Sequence, residues 1–316
     1  MDRLELLGHF EKFMQDACPA STVRAIEAGG DFAPLWSAVE ESGFLDALMP
    51  EAAGGAGLPL ADVAPILIAC GRFACPVPIG DTMVARALLA RLGAAVPSGP
   101  VSIVSGHRGG VAAAGLAAPL TPRLRAAGDL LSLEDVGGTV LCQWDDWDQD
   151  APDDGSSPAE AARRLGALVR AAAIAGAADW LLNASAAYAG ERMQFGKPIG
   201  RQQALQQQMA VMAEQVVAAR MAVELACSGS VSPSLASAAT AKIIASIAAP
   251  QVAAVAHAVH GAIGISQEYD LHLYTRRLHA WRADHGSEAY WEQRLGAERV
   301  GDAVPKTVDW VRGRFG

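Results

Sequence analysis

Between two long Ala-rich stretches the chain places Glu191-Arg192-Met193-Gln194-Phe195-Gly196-Lys197-Pro198-Ile199-Gly200, followed at once by Arg201-Gln202-Gln203. A guanidinium, an amide, an aromatic ring, a Gly and a Pro thus fall in a short break where one helix ends and another begins. Free backbone N–H groups and the positive dipole end of the second helix suit a phosphate-bearing ligand there. Arg192 adds fixed charge and planar donors, and Phe195 adds a stacking face. The structural alternative is a helix–helix turn with a snorkelling Arg. His257 and His260 stand at helical positions i and i+3 without the Glu-x-x-His companion of a bundle metal site. They read as packing or surface histidines, and no metal is expected. Cys18, Cys70, Cys75, Cys142 and Cys227 form no CxxC pair or zinc-like spacing, so they read as reduced core thiols of a cytoplasmic protein.

These residues need a scaffold, and the composition indicates a helical one. Of 316 residues, 51% are hydrophobic but only 6% aromatic, so Ala, Val, Leu and Ile must build closely packed helices. A net charge of −9 without a basic run argues against a nucleic-acid partner. The start carries no apolar signal core, and the stretch around 243–259 reads as a buried Ala-rich helix, so no membrane span is expected. Three regions separate by pattern: helical texture over 1–92, a small β unit over 93–150 and a helical bundle over 156–300, with 301–316 as a tail. Short apolar runs at 101–104, 111–116, 130–133 and 139–142 carry the β signature. Asp145 to Asp154 is an acidic linker. Ser157-Pro158-Ala159-Glu160 is a capping box with Pro at the first helical position, and Ser232-Pro233 repeats the signal. Helices are expected over about 60–73, 158–190, 202–228, 233–260 and 286–299. The second bundle helix shows Leu205, Met212, Val216, Ala219 and Val223 on one stripe.

The wording of several segments resembles the acyl-CoA dehydrogenase family. E-R-x-x-F-G-x-P-I at 191–199, P-E-x-x-G-G-x-G-L-x-L at 50–60 and E-x-x-L-x-x-Y-x-R-R at 268–277 all follow the family pattern. The resemblance implies a mainly α fold: an N-terminal helical domain, a central β domain and a C-terminal four-helix bundle. It also implies FAD as cofactor, an acyl-CoA thioester as substrate, α,β-desaturation as the reaction and an acceptor such as electron-transfer flavoprotein. Arg192, Gln194, Phe195 and Gln202 match family positions that meet the FAD across a subunit interface. Gly261 and Gly264 remain from the segment that lines a neighbour's flavin nucleotide, where Ala258 and Ala262 replace a Gln and a Gly; His260 would add a polar contact there. The charges over 268–277 are expected to pair with one another at helical spacing.

Three departures fall together. The β unit is about half the family length and lacks the Thr-rich strand that holds the flavin ring. The Gln/Gly pair is gone. The Glu that removes the α-proton is replaced by His285, with Asp284 one residue off, and the family's second base position, around Leu165-Gly166-Ala167-Leu168, holds no acid. This pattern is most similar to the small subunit of two-component bacterial acyl-CoA dehydrogenases, which form α2β2 heterotetramers with a larger subunit and act in steroid and other lipid degradation. FAD would then be shared at the subunit interface and the chain would be inactive alone, though a homo-oligomer stays open. A non-catalytic homologue that stabilises a partner is the alternative, as is a flavin monooxygenase using His285.

Overall fold

The computed structural model describes residues 3–105, 123–127, 130–134, 140–144, 157–229, 232–304 and 306–315. Five helices open the chain: α1 (Arg3–Ala17), α2 (Ala20–Glu27), α3 (Ala33–Glu41), α4 (Leu60–Arg72) and α5 (Ile79–Arg91). Helix α5 is buried along its whole length from Ile79 to Leu89, because other elements cover every side of it. Its buried polar side chains, Asp81, Thr82 and Arg86, bond other parts of the protein. Thr82 Oγ1 donates to the Val101 carbonyl at 3.1 Å, and Arg86 bonds Asp46 at 2.9 Å and Glu40 at 3.0 Å.

Strands β1 (Ser102–Ser105), β2 (Arg123–Ala127), β3 (Leu130–Glu134) and β4 (Val140–Trp144) form one sheet in that order. β1 runs parallel to β2, with Ile103 opposite Leu124, and the remaining pairs are antiparallel. The expected run at 111–116 and the acidic linker at 145–154 lie outside the described residues, whereas β2 had no counterpart among the expected strands.

The bundle consists of α6 (Pro158–Glu191), α7 (Gln203–Ala226), α8 (Leu235–His260), α9 (Leu271–Ala283) and α10 (Glu288–Gly301). At the start of α6 the Glu160 N–H donates to Ser157 Oγ at 3.2 Å, the bond that the capping box anticipates. Helix α8 starts later than expected. Its cap is Ser234, whose Oγ accepts from the Ser237 N–H at 3.1 Å, rather than Ser232. The stretch expected as a tail carries another helix, α11 (Thr307–Phe315), with Trp310 buried.

Ala-rich faces allow close approach, and two glycines take it to the limit. A Cβ on Gly71 of α4 would lie 2.0 Å from the Ala173 carbonyl oxygen, and one on Gly176 of α6 would lie 1.8 Å from that of Ile68. Helices α4 and α6 therefore meet backbone to backbone. Two helices, α6 and α8 with its extension to Ile265, are long and apolar enough by length and composition to cross a membrane. This qualifies the sequence expectation, which had singled out only the second. Their most apolar windows are 78% and 50% buried within the fold, which makes them packing helices here.

The charges over 268–277 serve a different purpose from the one expected. Arg276 and Arg277 both pair with Glu27, and Asp270 pairs with Arg24, so α9 is tied to α2 rather than to itself. Helical spacing permits pairing within α9, but opposite charges on α2 stand closer once the helices pack.

Candidate functional site

The residues singled out by sequence occupy two regions at opposite ends of α6. The first is the break after Glu191. Met193–Gln194 (β5) and Lys197–Pro198 (β6) pair antiparallel, Gln194 opposite Lys197, and form a hairpin closed by Phe195 and Gly196. Both closing residues have positive φ, 51° and 77°, the backbone state a two-residue turn of this hand requires. Phe195 is not a residue that favours this state. It is nonetheless held there with its ring 90% exposed. Arg192 and Gln194 are also exposed, and Arg192 makes no ion pair among the described residues. Gln202 is the N-cap of α7 but its side chain makes no capping bond, which leaves first-turn N–H groups of that helix free of a side-chain partner.

Close by in the sequence of contacts, His260 stacks on Tyr188 at 4.6 Å, accepts or donates at Nε2 to the Tyr269 hydroxyl at 3.2 Å, and bonds the Ala256 carbonyl through Nδ1 at 2.8 Å. It is a packed, satisfied histidine. His257 bonds Thr275 Oγ1 at 3.1 Å. Among the described residues no group of His, Cys, Asp or Glu is arranged to hold a metal. Gly261 caps α8 with φ 59°, a backbone reason to be glycine, while a Cβ on Gly264 would meet the His260 and Leu271 side chains at 2.9 Å.

The second region is the turn between α9 and α10. Asp284 ends α9, His285 takes φ 55°, Gly286 takes φ 91° and Ser287 starts α10. The Trp291 indole N–H donates to the His285 carbonyl at 2.8 Å and locks the turn. His285 is buried, and its ring lies against Gly166 of α6, where an added Cβ would be 2.3 Å from Nδ1. Gly166 and His285, 119 residues apart in sequence, thus share one location. A side chain at 166 and the imidazole at 285 exclude each other sterically.

Arg170, one turn along α6, was not anticipated. Its Nη1 and Nη2 donate to the two oxygens of buried Asp81 at 3.0 and 2.8 Å, and Nε donates to Asp284 Oδ2 at 2.5 Å. Asp284 Oδ1 accepts the His285 backbone N–H at 3.0 Å, so both carboxylate oxygens are engaged. Burial alone would raise the Asp284 carboxyl, but Arg170, by its charge and its hydrogen bond, outweighs it and holds the carboxyl low, at about 2. Burial pushes the His285 imidazole down against the attraction of Asp284, which favours the neutral ring. With His285 neutral, Arg170 is the partner that keeps Asp284 ionised. Behind the turn, fully buried Lys242 donates to Ser246 Oγ at 3.0 Å and to the Trp281 and Arg282 carbonyls at 2.9 and 2.8 Å. Desolvation lowers it to about 7.

Asp81, Arg170 and Asp284 form the polar wall of a cavity of about 90 Å³, whose other walls include Leu67, Val77, Ile79 and Trp281. His285 is not among its lining residues. A carboxylate held near 2 and saturated with hydrogen bonds is a weak base, and an imidazole packed on Gly166 does not face the cavity. The only sequence signal for Arg170 was a charge within an otherwise Ala-rich run. The hairpin lies far from this turn: about 25 residues of α6 at 1.5 Å rise separate Gly166 from Glu191, which is about 38 Å.

A long-helix bundle behind a small sheet, with an exposed Arg-Phe hairpin at one end and a closed acid–base turn at the other, defines the acyl-CoA dehydrogenase class of fold. The family profile "Acyl-CoA dehydrogenase, C-terminal domain" matches residues 153–300. The chain is 33% identical over 264 residues to acyl-CoA dehydrogenase IpdE2 of Mycobacterium tuberculosis, covering 78% of this chain and 80% of that protein. The chain belongs to the acyl-CoA dehydrogenase family. Its fold is similar to a chain of the ChsE4-ChsE5 complex from Mycobacterium tuberculosis, with a TM-score of 0.77 at 21% identity over 96% of this chain and 100% of that one. It is also similar to the Tcur3481-Tcur3483 steroid ACAD, with a TM-score of 0.74 at 24% identity over 95% and 99%.

Proposed function

We propose that this chain is the base-lacking subunit of a two-chain, FAD-dependent acyl-CoA dehydrogenase that desaturates a bulky, steroid-type acyl-CoA thioester. The observation that carries the reading is the separation of its two regions by about 38 Å along α6. A hairpin that far from the turn contributes to a site in another chain, not to a pocket in its own.

FAD would supply a hydride acceptor for the thioester's β-carbon. The exposed residues suit its nucleotide half. Arg192 offers a guanidinium to the pyrophosphate, Gln194 and Gln202 offer amides, and Phe195 offers an apolar face that nothing in its own chain covers. Gly261 and Gly264 keep the neighbouring turn free of side chains. The chain's own turn supplies no proton acceptor, since Arg170 neutralises Asp284 and Gly166 covers His285. The larger partner supplies the base and the flavin-ring site, and a soluble acceptor such as electron-transfer flavoprotein receives the electrons. Partner names among the similar structures support a two-chain assembly, and the steroid description of one of them supports the substrate class.

The test is co-expression with a candidate large subunit, flavin quantification and turnover on a panel of acyl-CoA thioesters with an artificial acceptor. Flavin and activity appearing only in the co-purified complex are the expected result. A yellow, active preparation of this chain alone, inactivated by His285→Ala or Asp284→Ala, would overturn it.

A further inference from the structure

Helix α7 follows the hairpin, separated from it by the short turn Ile199–Arg201 and Gln202. Its outward residues Gln207, Val211, Glu214, Ala218, Met221 and Leu225 recur at spacings of four and three. All are exposed except Ala218, which is half-buried. This is the heptad spacing of a seam that packs on another helix, and it runs for about 27 Å. Met212, Val216, Ala219 and Val223, on the other side of α7, are buried in the chain's own bundle. Helix α7 therefore has two apolar faces, and its own protomer covers one. Helix α8, which packs along α7, repeats the pattern: Ile247, Gln251, Ala254 and Ala258 are exposed at spacings of four, three and four, and none is charged.

The charge on the α7 seam is Glu214, near its midpoint, and it makes no ion pair among the described residues. A carboxylate buried in an interface needs a cation. A second copy of this chain does not bring one to that place. The Lys and Arg residues of α7 and α8 are Arg220 and Lys242. Lys242 is buried, and Arg220 follows Ala218 by two residues, which turns it off the seam. Parallel pairing of two such seams would set Glu214 against its own copy, and antiparallel pairing would set it against an apolar layer. The larger subunit of the two-chain reading is the chain that the hairpin meets, and the seam continues from the hairpin along the next helix.

We propose that the α7 seam, widened by the exposed residues of α8, docks an apolar helical face of the larger subunit, that a basic side chain there pairs with Glu214, and that Glu214 favours this partner over a second copy of the chain. The proposal rests on the two-chain reading. A lone polar residue in an apolar seam weakens every pairing, and it weakens most the pairing that leaves it without a partner. The α7 seam by itself is too small: about 27 Å by about 10 Å is roughly 300 Å² per partner, against about 800 Å² in a standard interface. Helix α8 and the hairpin must share the contact.

The test uses the whole chain co-purified with the candidate large subunit, with a photo-crosslinking p-benzoylphenylalanine at Val211 or Met221. Irradiation and peptide mass spectrometry should place the crosslink on a helical segment of the larger subunit that contains Lys or Arg. Glu214→Arg should weaken the complex about tenfold or more, and reversal of the basic residue in the crosslinked segment to Glu should restore it. In the isolated chain, Glu214→Leu should tighten self-association about tenfold by sedimentation velocity. Arg220→Glu, off the seam, should change either quantity by less than about twofold. Crosslinks confined to a second copy of this chain, or none in a complex that holds together, would overturn the seam and leave the two-chain reading standing. Failure of any complex to form would overturn both. An intact complex with Glu214→Arg, or unchanged self-association with Glu214→Leu, would remove Glu214 from partner choice and overturn the proposal.

Discussion

Individual charges carry most of the functional argument. Arg192 has no ion pair of its own among the described residues, so its role depends on what it meets outside the chain. Charge-assisted contacts to phosphate typically contribute about 1.5–3 kcal/mol. Arg192→Ala should therefore reduce flavin retention in the assembled complex by roughly tenfold or more, read from absorbance after gel filtration. Unchanged occupancy would remove the hairpin from the cofactor site. Lys242 gives a test inside the fold. Its amine falls from 10.5 unfolded to about 7 folded, chiefly through desolvation, with Asp284 and Glu288 opposing and Arg170 and Arg282 reinforcing the shift. Between those values the unfolded chain binds more protons, so this group makes stability rise with pH from about 7 to 10.5. Burial raises the Cys70 and Cys227 thiols, so unfolding releases them to ionise in the same window, and the informative quantity is a difference between proteins. Urea midpoints of wild type minus those of Lys242→Met should become more favourable to wild type between pH 7 and pH 9. Parallel pH profiles would show that Lys242 does not titrate there.

At the scale of elements, the α4–α6 crossing is the most constrained packing. Gly71→Ala or Gly176→Ala puts a methyl into a backbone carbonyl 2.0 or 1.8 Å away, and neither helix can yield without moving the core. Overpacking of this kind costs about 1–3 kcal/mol or more. Gly8 in α1 and Gly190 in α6 have open space around the same methyl, so Gly8→Ala should leave stability unchanged or raise it by about 0.5–1 kcal/mol. Urea titrations of the four variants test the contrast; equal effects would mean the helices do not touch as described. The fold's elements were largely legible beforehand, because period, caps and apolar runs act over a few residues. The start of α6 at Ser157 followed from a cap four residues long. The α8 start did not, since Ser232 and Ser234 both cap acceptably in sequence and only the packed helix end selects Ser234.

For the whole molecule, α7 leaves Val211, Val217, Met221 and Leu225 exposed, and the hairpin adds Met193 and Phe195. Such a surface is expected to be covered in an assembly burying well over about 1,000 Å². Light scattering at micromolar concentration should give a dimer or heterotetramer, and a stable monomer would count against the shared-site reading. The isolated chain should also fail to dehydrogenate acyl-CoA thioesters, as measured by single-turnover flavin bleaching after added FAD. Sequence by itself determined the helical framework, the small sheet and the family, and it left no Glu where the resemblance to that family expects the base. It could not decide what stands in place of that base. Arg170 meets Asp81 and Asp284 across separations of 89 and 114 residues, and His285 meets Gly166 across a similar gap. Local propensity carries no information about partners that far away, because a buried charge finds its counter-ion only when helices dock. Docking also made α6 the rigid rod that holds the hairpin about 38 Å from the turn.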